Sequence, residues 1–152
     1  MPDSPPIDRT FSALYRHSMD TKRRIPIPFR WRPEESAELT IVVWPKHRAG
    51  TCLRVLPPDQ WTKLRATINL VPNTDPNKAV LKHWIGTGSI QTKLDSAGRL
   101  TIPEEMAAAA DISNQVVLAG MIDYFEIWNS ARYEVVEATS KAHLGAALQL
   151  LE

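Results

Sequence analysis

Two short segments of this sequence each place an aspartate four residues before an arginine. Asp20 precedes Arg24 in "MDTKRRIPIP", and Asp95 precedes Arg99 in "LDSAGRLTIP". An Asp side chain at the start of a tight turn accepts hydrogen bonds from backbone N–H groups further round the turn, and its carboxylate can also hold a guanidinium in place. The planar Arg fork can then meet a phosphate, or the O6 and N7 atoms of guanine, with two parallel hydrogen bonds.

The two segments align without a gap, so they indicate an internal duplication. Ile27 and Pro28 of the first segment match Ile102 and Pro103 of the second. Gly98 predicts a positive φ in the second turn, a conformation that costs other residues about 1 kcal/mol. Each Asp–Arg pair is also compatible with a purely structural role as a turn staple. Two copies at matched positions favour recognition of a repeated or two-fold partner.

The charge of the chain is unevenly distributed, although its formal net value is only +1. Residues 1–75 hold 12 of the 18 Lys and Arg but 8 of the 17 Asp and Glu. Within 16–32 there is one acid and a basic cluster, which consists of Arg16, Lys22, Arg23, Arg24, Arg30 and Arg32. The cluster favours a polyanionic partner, but a run of charge is equally typical of a solvated face.

Composition limits the other classes of protein. A chain of 152 residues with 43% hydrophobic content forms one domain, or two very small units that share a core. No run of about 18 apolar residues occurs, so we expect a cytoplasmic protein without a membrane partner. Residues 1–10 are polar and Pro-rich and predict a disordered lead-in rather than a signal peptide. A single cysteine, Cys52, excludes an internal disulfide and is expected to be a small strand residue.

The duplication extends beyond the turns into two units with the order β-β-short α-β-β-α. Alternating and apolar runs predict the strands, and the final Pro residues of "RIPIP" and "RLTIP" end the second strand of each unit. The predicted strands are 11–19, "RIPI", 39–44 and 51–56 in the first unit, and 89–94, "RLTI", 115–120 and 123–128 in the second. The loop of the first hairpin is expected to be longer than that of the second.

Helices are expected after each second strand and at the end of each unit. "PEEMAAAAD" predicts a short helix over 103–111, whereas Pro33 makes its counterpart in the first unit shorter or displaced. Further helices are predicted over 57–70, 78–86 and 129–152. The first of these places Trp61, Leu64 and Ile68 on one side. The last places Tyr133, Val136, Leu144, Ala147 and Leu151 roughly on one side, a stripe that fits packing within the chain or a subunit contact.

Neither unit can bury much apolar surface alone, so we expect the two to interlock into one barrel-like core. The predicted fold class is α+β, mainly β, with flanking helices. The expected organisation is a lead-in over 1–10, a first unit over 11–86 with its following helices, and a second unit over 87–152 with the C-terminal helix.

Enzymatic functions fit the sequence poorly. Asp20 and Asp95 could be the paired carboxylates of an acid protease, but each has an Arg in register that would keep it ionised and prevent proton sharing. No Gly-rich phosphate loop and no zinc-protease or serine-hydrolase motif occurs. The four histidines are scattered one per predicted element, so we expect no metal site. We therefore predict a protein that is not an enzyme, without cofactor or small-molecule substrate.

The segments "MDTKRRIPIP", "KLDSAGRLTIP" and "VVLAGMIDYFEIWNSARYE" resemble the two halves of the MraZ family of AbrB-like transcription factors. The resemblance covers about residues 11–137. It implies tandem swapped-hairpin units in one pseudo-two-fold barrel, each with a D-x-x-x-R motif. It also implies a regulator of the bacterial division and cell-wall genes that binds direct repeats in double-stranded DNA upstream of its own gene. Family members assemble into rings, so a nucleoid-associated homo-oligomer is expected.

The family motif carries over to individual residues. Asp20 and Asp95 are its turn-organising aspartates, assisted by Gly98, and Arg24 and Arg99 are its DNA-binding arginines. Lys22 occupies the basic turn position in the first half, and Ala97 stands there in the second. Arg23 replaces the expected glycine, which adds a cation to the first turn. The resulting hypothesis is a main basic tip formed by Lys22, Arg23 and Arg24 and a weaker tip formed by Arg99 and Lys93, with Arg16 as a further DNA contact.

A protein-interaction module is the alternative function. AbrB-like folds also serve as antitoxins, and the apolar end of the last helix, "HLGAALQLLE", could pack on a neighbouring protein. Two units in one chain argue against the antitoxin reading, because antitoxins of this class usually carry a single unit and a disordered tail.

Overall fold

A computed structural model describes residues 10–34 and 37–152. The first nine residues of the predicted lead-in lie outside the described residues. The described residues form eight strands and four α-helices. Their bounds are β1 Leu14–Ser18, β2 Arg24–Pro26, β3 Leu39–His47, β4 Gly50–Leu56, α1 Pro58–Leu70, α2 Asn77–Thr87, β5 Ser89–Thr92, β6 Arg99–Thr101, α3 Glu104–Ala109, β7 Gln115–Gly120, β8 Phe125–Asn129 and α4 Ser130–Leu148, with 3-10 turns at Phe29–Trp31 and Gln149–Leu151.

Six strands form one antiparallel sheet in the order β1-β7-β8-β4-β3-β5. The outer strands are exchanged between the units: β1 pairs with β7 of the second unit, and β5 pairs with β3 of the first. The units meet in the middle, where Leu53 pairs with Ile127 and Val55 with Phe125 across β4 and β8. The exchange gives the sheet an approximate two-fold symmetry and joins both halves of the chain into one core.

The remaining strands, β2 and β6, form a separate two-stranded antiparallel ribbon. Ile25 pairs with Leu100 at its centre, and both side chains are fully buried against the larger sheet. The predicted α+β class is confirmed, but the described part of the chain is not mainly β, because its four α-helices hold more residues than its eight strands. The six-stranded sheet is open, with β1 and β5 at its edges, so the single closed barrel is not confirmed.

The main core lies between the ribbon and one face of the six-stranded sheet. Its centre is an aromatic cluster in which the Trp31 ring lies 4.9 Å from Phe125 and 6.0 Å from Phe11. The Trp31 indole also donates a hydrogen bond to the Ser12 carbonyl. Trp31 is fully buried despite its two arginine neighbours, so it belongs to the core and not to a DNA-facing surface.

Helix α4 covers the opposite face of the sheet. Val136 packs there on a second apolar cluster that contains Cys52, Val117 and Trp128, with Tyr133 at its margin. Cys52 is a buried free thiol on β4, as its sequence position predicts. Beyond this cluster the apolar stripe is exposed: Leu144 of α4 is 51% exposed, and Leu151 of the following 3-10 turn is 83% exposed.

Several predicted boundaries move in the structure. The first hairpin loop is short and not long, because β3 continues to His47 through an irregularity after Trp44 and leaves a two-residue turn. A hydrogen bond from Ala49 N to His47 Nδ1 closes that turn. Helix α2 extends one residue past its predicted end at Gly86, and Gly88 alone separates it from β5. Strand β1 begins later than expected, and Phe11 forms an isolated bridge to Ile122 instead.

Candidate nucleic-acid interface

The first Asp–Arg turn is held by the Asp20 carboxylate. Oδ1 accepts hydrogen bonds from the backbone N–H groups of Lys22 and Arg24, at 2.9 and 2.8 Å. Oδ2 accepts from Nε of Arg24 at 2.7 Å. The backbone closes the turn through bonds from Asp20 N to Arg24 O and from Arg23 N to Asp20 O. One carboxylate therefore organises both the turn and the arginine that leaves it.

The second turn repeats this arrangement bond for bond. Asp95 Oδ1 accepts from Ala97 N and Arg99 N at 3.0 and 2.9 Å, and Oδ2 accepts from Arg99 Nε at 2.8 Å. Gly98 has φ +77°, as its position predicts. Arg23 adopts the same left-handed region at φ 58°, so the turn keeps its shape although the glycine is missing.

Hydrogen bonds to the charged carboxylates lower the pKa of both aspartates. For Asp20 the largest contribution comes from the backbone N–H of Arg24, and the Arg24 guanidinium adds to it. Asp95 has the same pattern with Arg99. Each aspartate is therefore a stable anion paired with its own arginine, which is unsuited to sharing a proton with a second carboxylate.

The ribbon presents both arginines on its outer face. Side chains alternate across a strand, and Ile25 and Leu100 point into the core, so Arg24 and Arg99 project the other way. In the ribbon, Arg24 pairs with Thr101 and Arg99 with Pro26, which makes the two arginines diagonal neighbours. Their side chains are 29% and 35% exposed.

Backbone hydrogen bonds lock each turn to the strand end of the other unit. Ile27 N donates to Gly98 O at 3.1 Å, and Ile102 N donates to Arg23 O at 2.8 Å. Each bond joins the residue before the motif arginine in one turn to the strand end of the other unit. The two guanidinium groups therefore belong to one rigid surface.

This surface is suited to an acidic groove. A guanidinium carries five N–H donors, and Nε is already engaged by the aspartate, so the terminal nitrogens stay oriented for a second acceptor. A two-stranded β-ribbon is one of the two elements that the major groove of B-DNA admits. Two pre-oriented forks on such a ribbon can meet phosphates or guanine edges without the entropic cost of ordering free side chains.

The other predicted site residues are placed unequally. Lys22 is exposed in the first turn, and Lys93 is exposed two residues before Asp95. Arg16 lies elsewhere: it is paired with Val117, whose side chain packs under α4, so it faces the α4 side of the sheet and not the ribbon. Apart from Arg16, the predicted basic residues lie in the two turns at the ends of the ribbon or, for Lys93, just before the second turn.

One residue beside the turns was missed as a site residue. Arg32 donates its Nε to the Ile27 carbonyl at 2.9 Å, and its guanidinium lies against Gly98 of the second turn. The sequence places Arg32 in the basic cluster, which is the only signal. That it reaches a turn of the other unit depends on the tertiary fold.

Nothing in the described ranges 10–34 and 37–152 groups three side chains that could hold a metal ion. The helices of that part of the chain include none that is long and apolar enough to cross a membrane.

Comparison with known proteins identifies the family. Residues 85–149 match the profile of a family described as "MraZ protein, putative antitoxin-like". A protein of Halothermothrix orenii named transcriptional regulator MraZ is 30% identical over 123 residues, which is 81% of this chain and 83% of that protein. The protein of the same name from Herpetosiphon aurantiacus is 31% identical over 83% of this chain and 85% of its own length. The chain belongs to the MraZ family.

The MraZ relatives extend the match beyond the second unit. The family profile covers the end of α2 to α4, whereas a relative from Acidithiobacillus ferrooxidans aligns with 85% of this chain at 28% identity. The resemblance drawn from the sequence motifs is therefore confirmed. In this member of the MraZ family the two turns differ at two positions: the first turn has Lys22 and Arg23 where the second has Ala97 and Gly98.

Proposed function

We propose that this protein is a sequence-specific transcriptional regulator that binds double-stranded DNA through its two Asp-x-x-x-Arg turns. The observation that carries the proposal is the pair of aspartate-held guanidinium groups on one outward face of the β2–β6 ribbon. The relatives named transcriptional regulators point to the same class of activity. A chain that acts in this way works on the nucleoid in the bacterial cytoplasm.

The residues divide by role. Arg24 and Arg99 supply the forks that meet base edges or phosphates, and Lys22, Arg23 and Lys93 supply charge along the backbone path. Asp20, Asp95 and Gly98 organise the turns. The exchange of β1 and β5 supports the relation to interlocked AbrB-like swapped-hairpin units. No catalytic step is assigned to either aspartate.

A single ribbon offers few contacts, so we propose that several subunits act together on direct repeats upstream of the protein's own gene. Tethered binding sites gain from effective concentration, provided that their spacing fits the DNA. The chain carries apolar surface for a ring-shaped homo-oligomer. Trp84 is 68% exposed on α2, beside an open apolar groove of about 560 Å³ between α2 and the β3–β4 hairpin. The exposed leucines of α4 add to this surface.

Fluorescence anisotropy tests the proposal with the duplex upstream of the gene and a shuffled duplex at two salt concentrations. We expect preferential, salt-sensitive binding by the wild type and its loss in the Arg24→Ala, Arg99→Ala double variant. The matched control is Arg65→Ala, Lys141→Ala, which removes two exposed charges from α1 and α4. Equal and weak binding to both duplexes, unchanged in the double variant, would show that the turns are structural staples.

The second candidate is a protein-interaction or antitoxin-like function. The exposed apolar face of α2 and the end of α4 favour it, since surfaces of this kind often mark protein contacts. A small partner that co-purifies in a fixed ratio, combined with no preference for the upstream duplex, would support this function over the first.

A further inference from the structure

At each turn an arginine side chain donates a hydrogen bond to the carbonyl of a matched isoleucine. Nε of Arg32 donates to Ile27 O at 2.9 Å, and Nε of Arg23 donates to Ile102 O at 3.0 Å. Ile27 and Ile102 are matched residues of the duplication, each directly before the proline that ends the repeated segment. The two bonds are therefore equivalent in the approximate two-fold symmetry.

The two guanidinium groups come from different positions in the repeat. Arg23 lies in its own turn, at the position matched by Gly98 in the other unit. Arg32 is the fourth residue after Pro28, and the position matched in the second unit is Ala107, which is only 4% exposed. The first turn thus has Arg23 where the second has Gly98, and the second turn is contacted by Arg32, whose matched residue is Ala107.

Packing at Gly98 explains how this exchange is possible. A methyl group on Gly98 would overlap the Arg32 guanidinium, so the glycine leaves the space that Arg32 fills. In the first turn, Arg23 fills the corresponding space with its own side chain. The backbone of Arg23 accepts from Ile102 N while its side chain donates to Ile102 O; in the other turn Gly98 and Arg32 share these two tasks.

We propose that Arg32 is a phosphate-binding and positioning residue of the second turn, the counterpart of Arg23 in the first. The inference rests on the proposed DNA-binding function and extends it to a residue outside the motif. Arg32 lines a cleft of about 140 Å³ together with Asp95, Ser96 and Gly98 of the second turn, and Glu34 lines the same cleft. Its Nε bond orients the guanidinium, and the terminal nitrogens supply the donors for a phosphate.

The proposal changes the charge balance of the interface. Ala97 leaves the second turn without a lysine of its own, which predicted a weaker tip. With Arg32 beside it, the second turn has two guanidinium groups, as the first turn has in Arg23 and Arg24. A two-fold related surface of this kind is suited to two phosphate paths on either side of a groove.

The first experiment compares Arg32→Ala with Arg30→Ala on the upstream duplex across a salt series. The control removes the same charge from an exposed side chain of the same 3-10 turn. The slope of log affinity against log salt is negative, and we expect Arg32→Ala to make it shallower by about 0.9 for each Arg32 that contacts a phosphate. An unchanged slope, whether or not the melting temperature falls, would overturn the proposed phosphate contact.

The second experiment exchanges the two arrangements. Arg23→Gly removes the guanidinium from Ile102 O, and we expect weaker DNA binding. Ala107→Arg alone puts a charged side chain at a buried position of the main core and should lower the melting temperature. The Arg23→Gly, Ala107→Arg double variant recreates the Gly98–Arg32 arrangement, and we expect it to recover both stability and affinity. A double variant no better than the sum of its single changes would contradict the equivalence.

The two proposals fail separately. If Arg24→Ala, Arg99→Ala binds the upstream duplex as well as the wild type, the DNA-binding function of the turns is wrong. If that variant loses binding while Arg32→Ala matches Arg30→Ala in affinity and salt slope, only the role of Arg32 is wrong.

Discussion

The aspartates decide the chemistry of both turns at the scale of the residue. Each accepts two backbone hydrogen bonds and one from a guanidinium, so the anion is the form that the fold stabilises. Each motif arginine is held at Nε by its aspartate, and its terminal nitrogens stay oriented for a second acceptor. Such pre-orientation is what separates a recognition fork from a solvated charge, because ordering a free arginine costs conformational entropy.

The lowered pKa values predict how the turns respond to acid. A carboxyl group whose folded-state pKa lies below its usual value stabilises the fold above that usual value and loses this contribution as the pH falls through the folded-state pKa. We therefore expect the stability difference between the wild type and Asp95→Asn to be constant from about pH 8 to pH 5 and to shrink below about pH 4. Urea unfolding across this range measures it. A difference that disappears near neutral pH would contradict the assignment.

Gly98 predicts a backbone effect of known sign. Gly98→Ala forces an L side chain into φ +77° and pushes Arg32 aside, so we expect a loss of about 1–2 kcal/mol of stability. Gly145→Ala is the control, because a methyl group at this position of α4 would have no neighbouring atom within 4 Å. It should stabilise by about 0.5–1 kcal/mol. Urea denaturation distinguishes the two, and equal effects would contradict the role of Gly98.

The local sequence predicts the two turns but not the contacts around them. The Asp–Arg spacing and Gly98 are local signals, and the observed bonds repeat them. Arg23 keeps the left-handed turn and also donates a hydrogen bond to Ile102 of the other unit, a contact that no local pattern encodes. Arg32 was visible only as one charge of a cluster, since its contact with Gly98 of the other unit depends on the pairing of β2 with β6.

At the scale of the element, the junction of β4 and β8 joins the two units through a partly buried ion pair. Arg54 and Glu126 are directly paired across the strands, with Nε to Oε2 at 2.9 Å, and Glu126 is 6% exposed. Trp128 donates to the other carboxylate oxygen, and the Arg54 guanidinium lies 4.1 Å from the centre of the Trp44 ring. The pair fixes the register at the centre of the sheet.

Removing one partner of this pair should be costly. Arg54→Met leaves Glu126 as an unpaired charge inside the fold, and we expect a loss of about 3 kcal/mol. The control Arg48→Met changes an exposed arginine of the β3–β4 turn and should stay within about 0.5 kcal/mol. Denaturant unfolding measures both. If the two variants were equally stable, the ion pair would contribute nothing to the junction.

The strands show where sequence patterns succeed and where they stop. The bounds of β7 match the prediction, because an apolar run between turn residues defines a buried strand well. The end of β3 was misplaced, because Pro45 and the charged residues after it are typical of a loop. The structure instead continues the strand through an irregular pairing that tolerates them.

At the scale of the whole molecule, the exchange of outer strands makes the two halves interdependent. Cleavage within 86–89 removes no covalent link inside either unit, yet β1 would lose β7 and β5 would lose β3 if the halves separated. We expect limited proteolysis there either to be resisted or to yield fragments that stay associated. Two halves that separate and remain folded on size-exclusion chromatography would contradict an interlocked core.

Cys52 reports on global opening of the same core. The thiol is fully buried on β4, and this burial raises its pKa well above the usual range, so the reactive thiolate is suppressed in the folded protein. We expect alkylation by iodoacetamide to be slow under native conditions and to accelerate only across the urea unfolding transition. Rapid labelling without denaturant would show that the sheet opens locally at β4.

The central claim is that Arg24 and Arg99 act as forks and not merely as charges. The most direct measurement is the affinity of an Arg24→Lys, Arg99→Lys double variant for the upstream duplex and for its shuffled counterpart, by fluorescence anisotropy over a salt series. Lysine keeps the charge but cannot form two parallel bonds. We predict that the salt slope is retained while the preference for the upstream duplex falls by about 1–3 kcal/mol for each lost base contact. An unchanged preference would contradict recognition through the guanidinium forks.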